Sequence, residues 1–426
     1  MIDIKLIREN PELVKENIQK KFQDEKLPLV DKIKKLDDDW RKLKFAEDKL
    51  RSERNDISKK INKLKKEGKS ATRELKVARE IPDKIVRSEK KRKKLEEEIK
   101  EIIYKIPNII HKSVPLGKSD EENVEIEKIG KPIVQKFKIL HHAELAEKIG
   151  GVDFDSARDT SGSGFYYLTG ELAILHSAVL AFARDYMIKK GFQYIVPPFL
   201  IRSTVVDGVM SFEEKEAMMY KIDGENLYLI GTSEHSMIGR FIDKTLLKKN
   251  LPLKLTSYSP CFRKEVGAHG IEEKGLYRLH QFEKQEMIVI CEPEDSYDLY
   301  EKMLNFTVDV FRQLEIPVRK LEICSGDLAD LKTKSADVEA WSPRQKKYFE
   351  VGSCSNLTDA QARRLNIKID NGRERYFAHT LNNTVLASPR VLIAILENHQ
   401  QKDGSIKIPK ALWRYTGFKE IKKNER

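Results

Sequence analysis

Two series of mostly apolar residues at heptad spacing lie in the first quarter of the chain. The first series consists of Leu36, Leu43, Leu50, Ile57 and Leu64. The second consists of Ala78, Ile85, Arg92, Ile99 and Ile106, and Gly68 lies between the two. Apolar residues at every seventh position are typical of coiled-coil helices, and a short break with a glycine lets two such helices run antiparallel. The pattern therefore predicts a helical hairpin whose arms of about 35 residues extend about 50 Å.

The segments beside this hairpin carry helix and turn signals. Asn10 and Pro11 suit the start of a helix, so residues 1–27 predict a short helical cap. Pro82 predicts a kink or fray in the second arm, because proline removes a backbone donor. Prolines and glycines then become frequent and predict a linker: Pro107, Pro115, Gly117, Gly130 and Pro132. We therefore divide the chain into an arm over residues 1–112, a linker over 113–135 and a larger domain over 136–426.

Residues 136–426 mix helical and strand-like patterns. Residues 170–192 have the apolar stripe of an amphipathic helix. Three segments predict strands of an antiparallel sheet: LPLKLTSYSPCFRKE, RLHQFEKQEMIVI and RYFAHTLNNTVLA. The sequence has no sustained βαβ alternation, no GxxxxGKS/T and no GxGxxG motif, so any nucleotide site must be of another kind. The expected fold class is α+β.

The positive charge of the chain is concentrated in the hairpin. Over residues 1–112, 34 lysines and arginines stand against 23 aspartates and glutamates, a net of +11 out of +12 for all 426 residues. A lone coiled coil is most often a dimerising stalk. A basic rod attached to a nearly neutral remainder favours a nucleic-acid-binding arm instead, because lysines and arginines that neutralise phosphates release counterions.

Cysteine spacing and hydropathy restrict the class of protein further. The four cysteines Cys261, Cys291, Cys324 and Cys354 are far apart, without a CxxC or Cys/His cluster. Structural zinc is therefore not expected. Widely spaced single cysteines fit a protein of a reducing compartment. The first residues carry charge without an apolar signal core, and no run of 18 apolar residues occurs. We expect a soluble protein of the cytoplasm.

Charged and aromatic residues are concentrated between residues 262 and 287. The sequence predicts a strand that ends in Phe-Arg-Lys-Glu at 262–265, a loop containing Gly267, Gly270 and Gly275, and a return strand over 277–287. Side chains alternate along a strand, so Arg278, Phe282 and Glu286 would share one face, as would Arg263 and Glu265 on the partner strand.

Two interpretations of this face are open from the residues alone. An exposed hairpin stabilised by cross-strand salt bridges would use the same arginines and glutamates. An ATP site would use an arginine for phosphate, an aromatic ring to stack on a base and a glutamate for an exocyclic amine.

A second group of candidate residues lies near the C-terminus. Ser388 is suited to the N-cap of a helix, Pro389 to its first position, and Arg390 falls in the first turn. The helix dipole disfavours a cation there. A bound polyphosphate, in contrast, would be favoured both by the dipole and by the charge of Arg390. An arginine that merely points outward is the alternative.

Two further segments complete the set. A strand turns at Gly231 into Thr232, Ser233 and Glu234, which begin a helix. Glu350 and Ser353 lie on one strand, where regular alternation would place them on opposite faces. A β-bulge at Gly352 would bring them together.

With these motifs in order, the chain resembles the seryl-tRNA synthetases of the bacterial coiled-coil type, which are class II aminoacyl-tRNA synthetases. The resemblance covers essentially the whole chain and implies a coiled-coil tRNA-binding arm followed by a catalytic domain on an antiparallel sheet. The three class II motifs correspond to GFQYIVPPFLI with Pro198, FRKEVG…GLYRLHQFEKQEM and LASPRVLIAILENHQ. The serine-specific segments correspond to GTSEH, EVGSCSN and HTLNNT. The third motif departs from many relatives, since Asn383, Val385 and Pro389 replace small glycines.

The resemblance implies roles for individual residues in an ATP site. Arg263 would hold the α-phosphate, Glu265 the adenine amino group and Arg390 the γ-phosphate; these three are the catalytic candidates. Phe282 would stack on the base and Leu279 would contact it through the backbone. Arg278 would touch phosphate or the substrate carboxylate. The remaining candidates for ATP are Lys264, Glu350, Val351, Gly352 and Ser353.

The resemblance implies the other ligands as well. Glu350 and Ser353 would coordinate Mg²⁺, which takes hard oxygen ligands. The candidates for L-serine are Thr232, Ser233, Glu234, Glu286 and Thr384. Thr232 and Glu234 would contact the α-amine of serine, and Glu286 would contact its hydroxyl. The candidates for tRNA(Ser), and for tRNA(Sec) where it exists, are Lys59, Lys60, Lys63, Lys65, Lys66 and Lys69. The first class II motif, around Pro198, implies a homodimer.

Three other functions explain parts of the sequence. A paralogue that has lost catalysis would be expected to have altered Arg263, Glu265, Glu350 or Arg390, and all four are present. A ligase that charges a carrier protein would lack the long basic hairpin. A structural coiled-coil protein accounts for residues 30–106 only. The expected activity is therefore ATP-dependent serine–tRNA ligation.

Overall fold

The computed structural model describes residues 1–132, 134–265 and 275–422 and divides the chain into two compact units. The first, Ile2–Pro107, is called the arm unit, and the second, Asn108–Arg426 together with Met1, is called the sheet unit. No helix in these described ranges is both long and apolar enough to cross a membrane.

The arm unit is entirely helical. It contains α1 (Ile4–Glu9), α2 (Pro11–Lys20), α3 (Leu27–Lys66) and α4 (Thr72–Ile103). The Asn10 side chain accepts a hydrogen bond from the Leu13 amide, which confirms the predicted helix start. Gly68 has φ of 68°, so the turn between α3 and α4 uses the left-handed conformation that glycine adopts without strain. The predicted antiparallel hairpin is confirmed.

Of the kink or fray predicted at Pro82, the fray is wrong. Helix α4 continues through Pro82, and Ile81 and Ile85 on either side of it are buried. Packing of these two isoleucines offsets the backbone hydrogen bond that proline cannot make, because tertiary burial outweighs local propensity.

Charged residues interrupt the apolar core of the hairpin in pairs. Glu47, on α3, is 1% exposed and accepts a 2.8 Å hydrogen bond from Nε of Arg92, on α4. Arg92 also lies 5.9 Å from the centre of the Trp40 ring. This pairing explains why an arginine occupies a heptad position in the second series. Because a buried charge is costly without its partner, the pair disfavours other registers of the two helices.

The sheet unit contains ten α-helices and seventeen strands in its described residues. The helices are α5 (His142–Lys148), α6 (Phe154–Ser161), α7 (Gly170–Lys189), α8 (Ser203–Val209), α9 (Phe212–Met218), α10 (Ser233–Gly239), α11 (Ser296–Gln313), α12 (Ala360–Leu365), α13 (Ser388–Asn398) and α14 (Trp413–Thr416). The strands in the first half are β1 (Val124–Ile129), β2 (Val152–Asp153), β3 (Tyr167–Leu168), β4 (Gln193–Tyr194), β5 (Leu200–Arg202), β6 (Leu227–Leu229), β7 (Thr245–Leu247) and β8 (Leu253–Phe262). The others are β9 (Gln281–Cys291), β10 (Val318–Glu322), β11 (Lys334–Ser342), β12 (Lys347–Asn356), β13 (Lys368–Asp370), β14 (Arg375–Phe377), β15 (His379–Ala387), β16 (Ile406–Lys407) and β17 (Glu420–Ile421).

Eight of these strands form one sheet in the order β1-β10-β11-β12-β15-β9-β8-β4. All neighbouring pairs are antiparallel except β4 and β8. Strand β1 lies within residues 113–135, where a linker is predicted, and forms one edge of the sheet. The α+β class predicted from the sequence is confirmed.

The centre of this sheet is buried on both faces. On β9, Met287 and Val289 belong to one apolar core, with α7, α11 and α13, while Ile288 and Ile290 belong to a second core around α8 and α10. The sequence of a strand that is buried on both faces is a continuous run of apolar residues. The charged part of β9, residues 282–286, lies before this run.

The predicted strands on either side of residues 266–274 are too long. Strand β8 ends at Phe262, so Arg263 and Glu265 follow the strand, and Glu265 has φ of 47°, which ends the extended path. Strand β9 begins at Gln281, so Arg278 lies in the preceding turn and does not share a strand face with Phe282. Gly267 and Gly270 lie outside the described residues. Gly275 has φ of 84°.

One helix boundary also differs from prediction. Ser388 is the first residue of α13 and the N-cap is Ala387, so Ser388 does not cap the helix. Arg390 remains in the first turn.

The buried pair in the arm unit generates a stability prediction. Arg92→Met should lower the free energy of unfolding by about 2–3 kcal/mol, because it leaves the Glu47 carboxylate buried without its cation. Chemical denaturation of the full chain, followed by circular dichroism at 222 nm, measures this change. Arg87→Met, at an exposed position of the same helix, should change it by less than about 0.5 kcal/mol. Equal effects of the two substitutions would show that the pair does not stabilise the hairpin.

Candidate active site

A cavity of about 370 Å³ lies in the sheet unit, beside the ends of β8, β9, β12 and β15. Most residues that the sequence singles out line it. They are Thr232, Glu234, Arg263, Glu265, Arg278, Leu279, Phe282, Glu286, Glu350, Val351, Gly352, Ser353, Thr384 and Arg390.

Two sequence-predicted residues do not line this cavity. Ser233 is fully buried, and its hydroxyl donates a 3.4 Å hydrogen bond to the Ser257 carbonyl. Lys264 extends away and donates to the Glu216 carbonyl at 3.4 Å. Neither side chain is placed to contact a molecule in the cavity. The six candidate lysines for tRNA belong to the arm unit, where all are exposed.

One face of β9 supplies three lining residues in alternation: Phe282, Lys284 and Glu286. Lys284 forms an ion pair with Glu286, and both are nearly buried, at 9% and 2% exposed. The Thr232 hydroxyl donates to Oε1 of Glu286 at 2.9 Å. Sequence reasoning missed Lys284, although its position between Phe282 and Glu286 places it on their face.

Arg263 lies next to Phe282 at one end of the cavity. Its guanidinium carbon is 5.3 Å from the centre of the Phe282 ring, and its Nε donates to the Gly231 carbonyl at 3.2 Å. Nearby, Arg278 donates to Oε2 of Glu265 at 3.2 Å. A ring that lines the cavity beside the Arg263 guanidinium suits a flat base joined to an anionic group.

Arg390 and Glu350 form a half-buried ion pair on another wall, with side chains 28% and 40% exposed. Nη1 of Arg390 lies 2.8 Å from Oε2 of Glu350 and also donates to the Glu350 carbonyl at 3.1 Å. Burial alone would raise the pKa of Glu350, but the charge and hydrogen bond of Arg390 hold it below its ordinary value. The ring centre of Tyr277, which sequence reasoning missed, lies 5.3 Å from this guanidinium.

The β-bulge predicted at Gly352 is present, with Val351 as the extra residue. Gly352 pairs with Val338 and Glu350 with Glu339, so Val351 has no partner on β11. The extra residue places Glu350 and Ser353 on the same wall of the cavity.

Gly352 also allows close packing behind this wall. A Cβ at position 352 would lie 2.9 Å from Cγ2 of Thr307 and 3.2 Å from the Thr384 carbonyl oxygen. An added Cβ would therefore require Thr307 or the backbone of β15 to shift, so glycine suits this position for a steric reason.

Glu350 and Ser353 offer oxygen ligands suited to a magnesium ion. Asp337, opposite Ser353 on β11, hydrogen-bonds to Ser353, and burial together with the nearby Glu350 charge raises the pKa of Asp337 above its ordinary value. No cluster of three or more His, Cys, Asp or Glu side chains that could hold a metal occurs in the described parts of the chain. A hydroxyl and one carboxylate nonetheless fit Mg²⁺, which takes few protein ligands when phosphates complete its shell.

Thr384 and the residues around it define the other end of the cavity. Thr384, on β15, is paired with Glu286 on β9. Asn383 points away, because its Nδ2 donates to the Met303 carbonyl at 2.7 Å, and Val385 belongs to the apolar core. Of the three residues that depart from the third class II motif, only Pro389 lines the cavity.

The cavity thus has two chemically different ends. The Arg263 and Phe282 end suits a nucleotide. The Thr232, Glu234 and Glu286 end carries two carboxylates, of which Glu286 is buried, so it suits an amine and a hydroxyl. Lys284 lies between these ends, where the two ligands would meet.

Two family models match the chain. The seryl-tRNA synthetase N-terminal domain matches residues 1–110, and the class II tRNA synthetase core domain (G, H, P, S and T) matches residues 218–399. The serine–tRNA ligase of Pyrococcus horikoshii is 44% identical over 99% of this chain and 97% of its own. That of Methanoregula boonei is 42% identical over 99% of this chain and 100% of its own.

Solved structures show the same similarity. The crystal structure of seryl-tRNA synthetase from Pyrococcus horikoshii complexed with ATP has a TM-score of 0.94 and 44% identity, and the match covers 100% of both chains. The cytoplasmic serine–tRNA ligase of Naegleria fowleri in complex with AMP has a TM-score of 0.89 and 33% identity, covering 100% of this chain and 99% of that one.

The packing behind the bulge generates a prediction. Gly352→Ala should lower the free energy of unfolding by about 1–3 kcal/mol, because its Cβ would overlap Cγ2 of Thr307. Thr307→Ser removes that methyl group and keeps a hydroxyl that can donate to the Thr384 carbonyl. The double variant should therefore recover at least half of the loss in thermal unfolding, and strictly additive losses would contradict this packing.

Proposed function

The chain belongs to the seryl-tRNA synthetase family, and we propose that the cavity described above is where it activates serine with ATP before transferring it to tRNA. The activity of the family is serine–tRNA ligation. The observation that carries the assignment to this cavity is the Lys284–Glu286 pair on β9. Glu286 belongs to the pocket suited to a small hydroxyl-bearing amine, and Lys284 lies between that pocket and the wall suited to a nucleotide.

At the nucleotide end, Arg263 binds the α-phosphate of ATP and Phe282 stacks on the adenine. Their 5.3 Å separation supports this assignment, since one ligand can contact both. Glu265 accepts a hydrogen bond from the adenine amino group, Leu279 contacts the ring through its backbone, and Arg278 holds Glu265 in place. Arg390 binds the γ-phosphate from the first turn of α13, where its charge adds to the helix dipole.

At the serine end, Glu286 accepts a hydrogen bond from the substrate hydroxyl. Thr232 and Glu234 take the α-amine, and Thr384 closes the pocket opposite Glu286. An amino acid without a hydroxyl would leave the Glu286 carboxylate desolvated and incompletely bonded, so alanine and glycine are rejected strongly. Threonine carries a hydroxyl as well and must be rejected by size.

Glu350 and Ser353 would hold Mg²⁺ against the phosphates of ATP. When bound, this ion neutralises the negative charge that develops on the pyrophosphate leaving group. Arg390 already holds the Glu350 carboxylate, which keeps it oriented before a ligand enters.

The chemistry requires no protein nucleophile. The serine carboxylate attacks the α-phosphorus of ATP, which releases pyrophosphate, and the terminal ribose hydroxyl of tRNA then attacks the seryl-adenylate carbonyl to release AMP. Arg263 and Lys284 supply positive charge near the α-phosphate in the first step. Positioning and charge stabilisation account for most of the rate enhancement.

The exposed lysines of the arm unit bind the tRNA backbone, and the partner is tRNA(Ser), with tRNA(Sec) a further substrate where it exists. Shape and phosphate contacts, rather than base edges, provide recognition of this kind. Assembly as a homodimer through the region of Pro198 would cover large apolar side chains that are exposed in the single chain, among them Val196, Leu200 and Ile174. The site of action is the cytoplasm.

Amino-acid-dependent ATP–pyrophosphate exchange tests the proposed substrate. Across all twenty amino acids, without tRNA, exchange should occur with serine only. Glu286→Gln should lower kcat/KM for serine about 100-fold, because it removes the charged acceptor of the hydroxyl. Glu283→Gln, on the opposite face of β9, is the matched control and should keep most activity. Exchange with another amino acid, or with none, would contradict the proposal.

Charge neutralisation in the arm tests how tRNA is bound. Among the six candidates, Lys60 and Lys69 form ion pairs with Glu74 and Glu67, so the triple substitution uses others, Lys59, Lys65 and Lys66, each to Gln. The variant should raise KM for tRNA about tenfold or more and reduce the salt dependence of tRNA binding, while serine-dependent exchange stays unchanged.

The matched control is the substitution of three exposed lysines of the sheet unit, Lys402, Lys407 and Lys410, each to Gln. This control should leave both adenylate formation and tRNA charging unchanged. Equal loss of adenylate formation and tRNA charging in the arm variant would contradict the separation of roles.

A further inference from the structure

A hydrogen-bonded series of side chains lies behind the serine end of the cavity. Gln361, on α12, is 1% exposed and does not line the cavity. Its Nε2 donates to Oε1 of Glu234 at 2.9 Å, and its Oε1 accepts from the Thr380 hydroxyl at 2.8 Å. The series connects a helix and a strand, α12 and β15, to the start of α10.

Two acceptors fix which way the Gln361 amide points. Its Nε2 donates to Oε1 of Glu234 at 2.9 Å and to the Val209 carbonyl at 3.5 Å, and neither an ionised carboxylate nor a carbonyl can donate to the oxygen of a flipped amide. Thr380 is itself fully buried, and its backbone amide donates to the Thr358 carbonyl at 2.9 Å. After a flip of the Gln361 amide the Thr380 hydroxyl could still accept from the nitrogen, but the amide oxygen would face the two acceptors without a donor, which is costly in a buried position.

Glu234 receives two amide donors on the same oxygen. Nδ2 of Asn382 lies 2.7 Å from Oε1, beside Nε2 of Gln361. Within the described residues, Oε2 has no hydrogen-bond partner, although Glu234 lines the cavity. The carboxylate is therefore held by one oxygen, and the other is available to a ligand.

The surroundings of Glu234 oppose its ionisation. Burial and the nearby charge of Glu286 raise the pKa of Glu234, while the hydrogen bond from Gln361 and the charges of Lys284 and Lys332 act in the opposite direction. A protonated Glu234 would not form an ion pair with an ammonium group. Loss of the Gln361 donor should therefore move this pKa further upward.

We propose that Gln361 is a positioning residue that holds the Glu234 carboxylate so that its second oxygen receives the ammonium group of the amino-acid substrate. The inference rests on the function proposed above, since it concerns the same site. Gln361 acts only through Glu234 and contacts no substrate.

The experiment compares the full-length Gln361→Met variant with the unaltered protein in ATP–pyrophosphate exchange. Methionine has a similar length and no donor, so KM for serine should rise about tenfold or more, with little change in kcat or in KM for ATP. The acidic limb of kcat/KM for serine should move to higher pH. Thr380→Val, which removes the hydroxyl that donates to the Gln361 amide oxygen, should shift KM for serine and the acidic limb in the same direction by a smaller amount.

The matched control is Gln400→Met, which alters another glutamine that is 1% exposed in the sheet unit. Its side chain bonds to Leu140, away from the cavity, so it reports the cost of removing any buried amide. It should leave KM for serine and the pH profile unchanged. Thermal unfolding of both variants establishes that they remain folded.

Two results would overturn the proposal, and a third would overturn the function on which it rests. An unchanged KM for serine and an unchanged pH profile in Gln361→Met would overturn it while leaving the proposed function intact. Parallel losses of ATP and serine binding would show a purely structural role and also overturn it. Absence of serine-dependent exchange in the unaltered protein would instead overturn the proposed function.

Discussion

Pairing of buried charges is the constraint on which the cavity depends. Lys284 and Glu286 lie on one face of a central strand, nearly out of solvent, and each satisfies the other. Removing one partner from such a pair commonly costs several kcal/mol, because the remaining charge stays desolvated. Arg390 and Glu350 form a second ion pair on another wall, where the two side chains are partly exposed. The site is therefore organised before a ligand enters, and a ligand must offer charges that match this pattern.

The sheet makes this arrangement possible through its local irregularities. Regular alternation on β9 brings Phe282, Lys284 and Glu286 together. On β12, a bulge at Val351 is needed to place Glu350 and Ser353 on one wall, and Gly352 lets β15 and α11 pack closely behind it. Apolar cores on both faces of the central strands hold this geometry, and the polar groups are confined to the strand ends.

Sequence periodicity was sufficient for the hairpin and for the strands that carry the site, because both depend on repeats of seven or two residues. The ends of β8 and β9 were not predictable, because Glu265 adopts a positive φ that the pattern of side chains does not indicate. Helix α4 passes through Pro82 for a tertiary reason, the burial of Ile81 and Ile85.

Some partners of the site residues could be predicted from the sequence and others could not. Lys284 could have been found from strand alternation. Gln361 and Asn382 could not, because they meet Glu234 across 127 and 148 residues of chain. Long-range hydrogen bonds of this kind follow from the fold and have no local signal.

The most direct test of the central claim is calorimetric binding of two non-hydrolysable adenylate analogues that differ by one hydroxyl group, the seryl and alanyl sulfamoyl adenosines. The Lys284–Glu286 pair predicts that the seryl analogue binds about 1,000-fold more tightly or better, because the alanyl analogue leaves the buried Glu286 carboxylate without the hydroxyl it is held to receive. Similar affinities for the two analogues would contradict the account of the cavity.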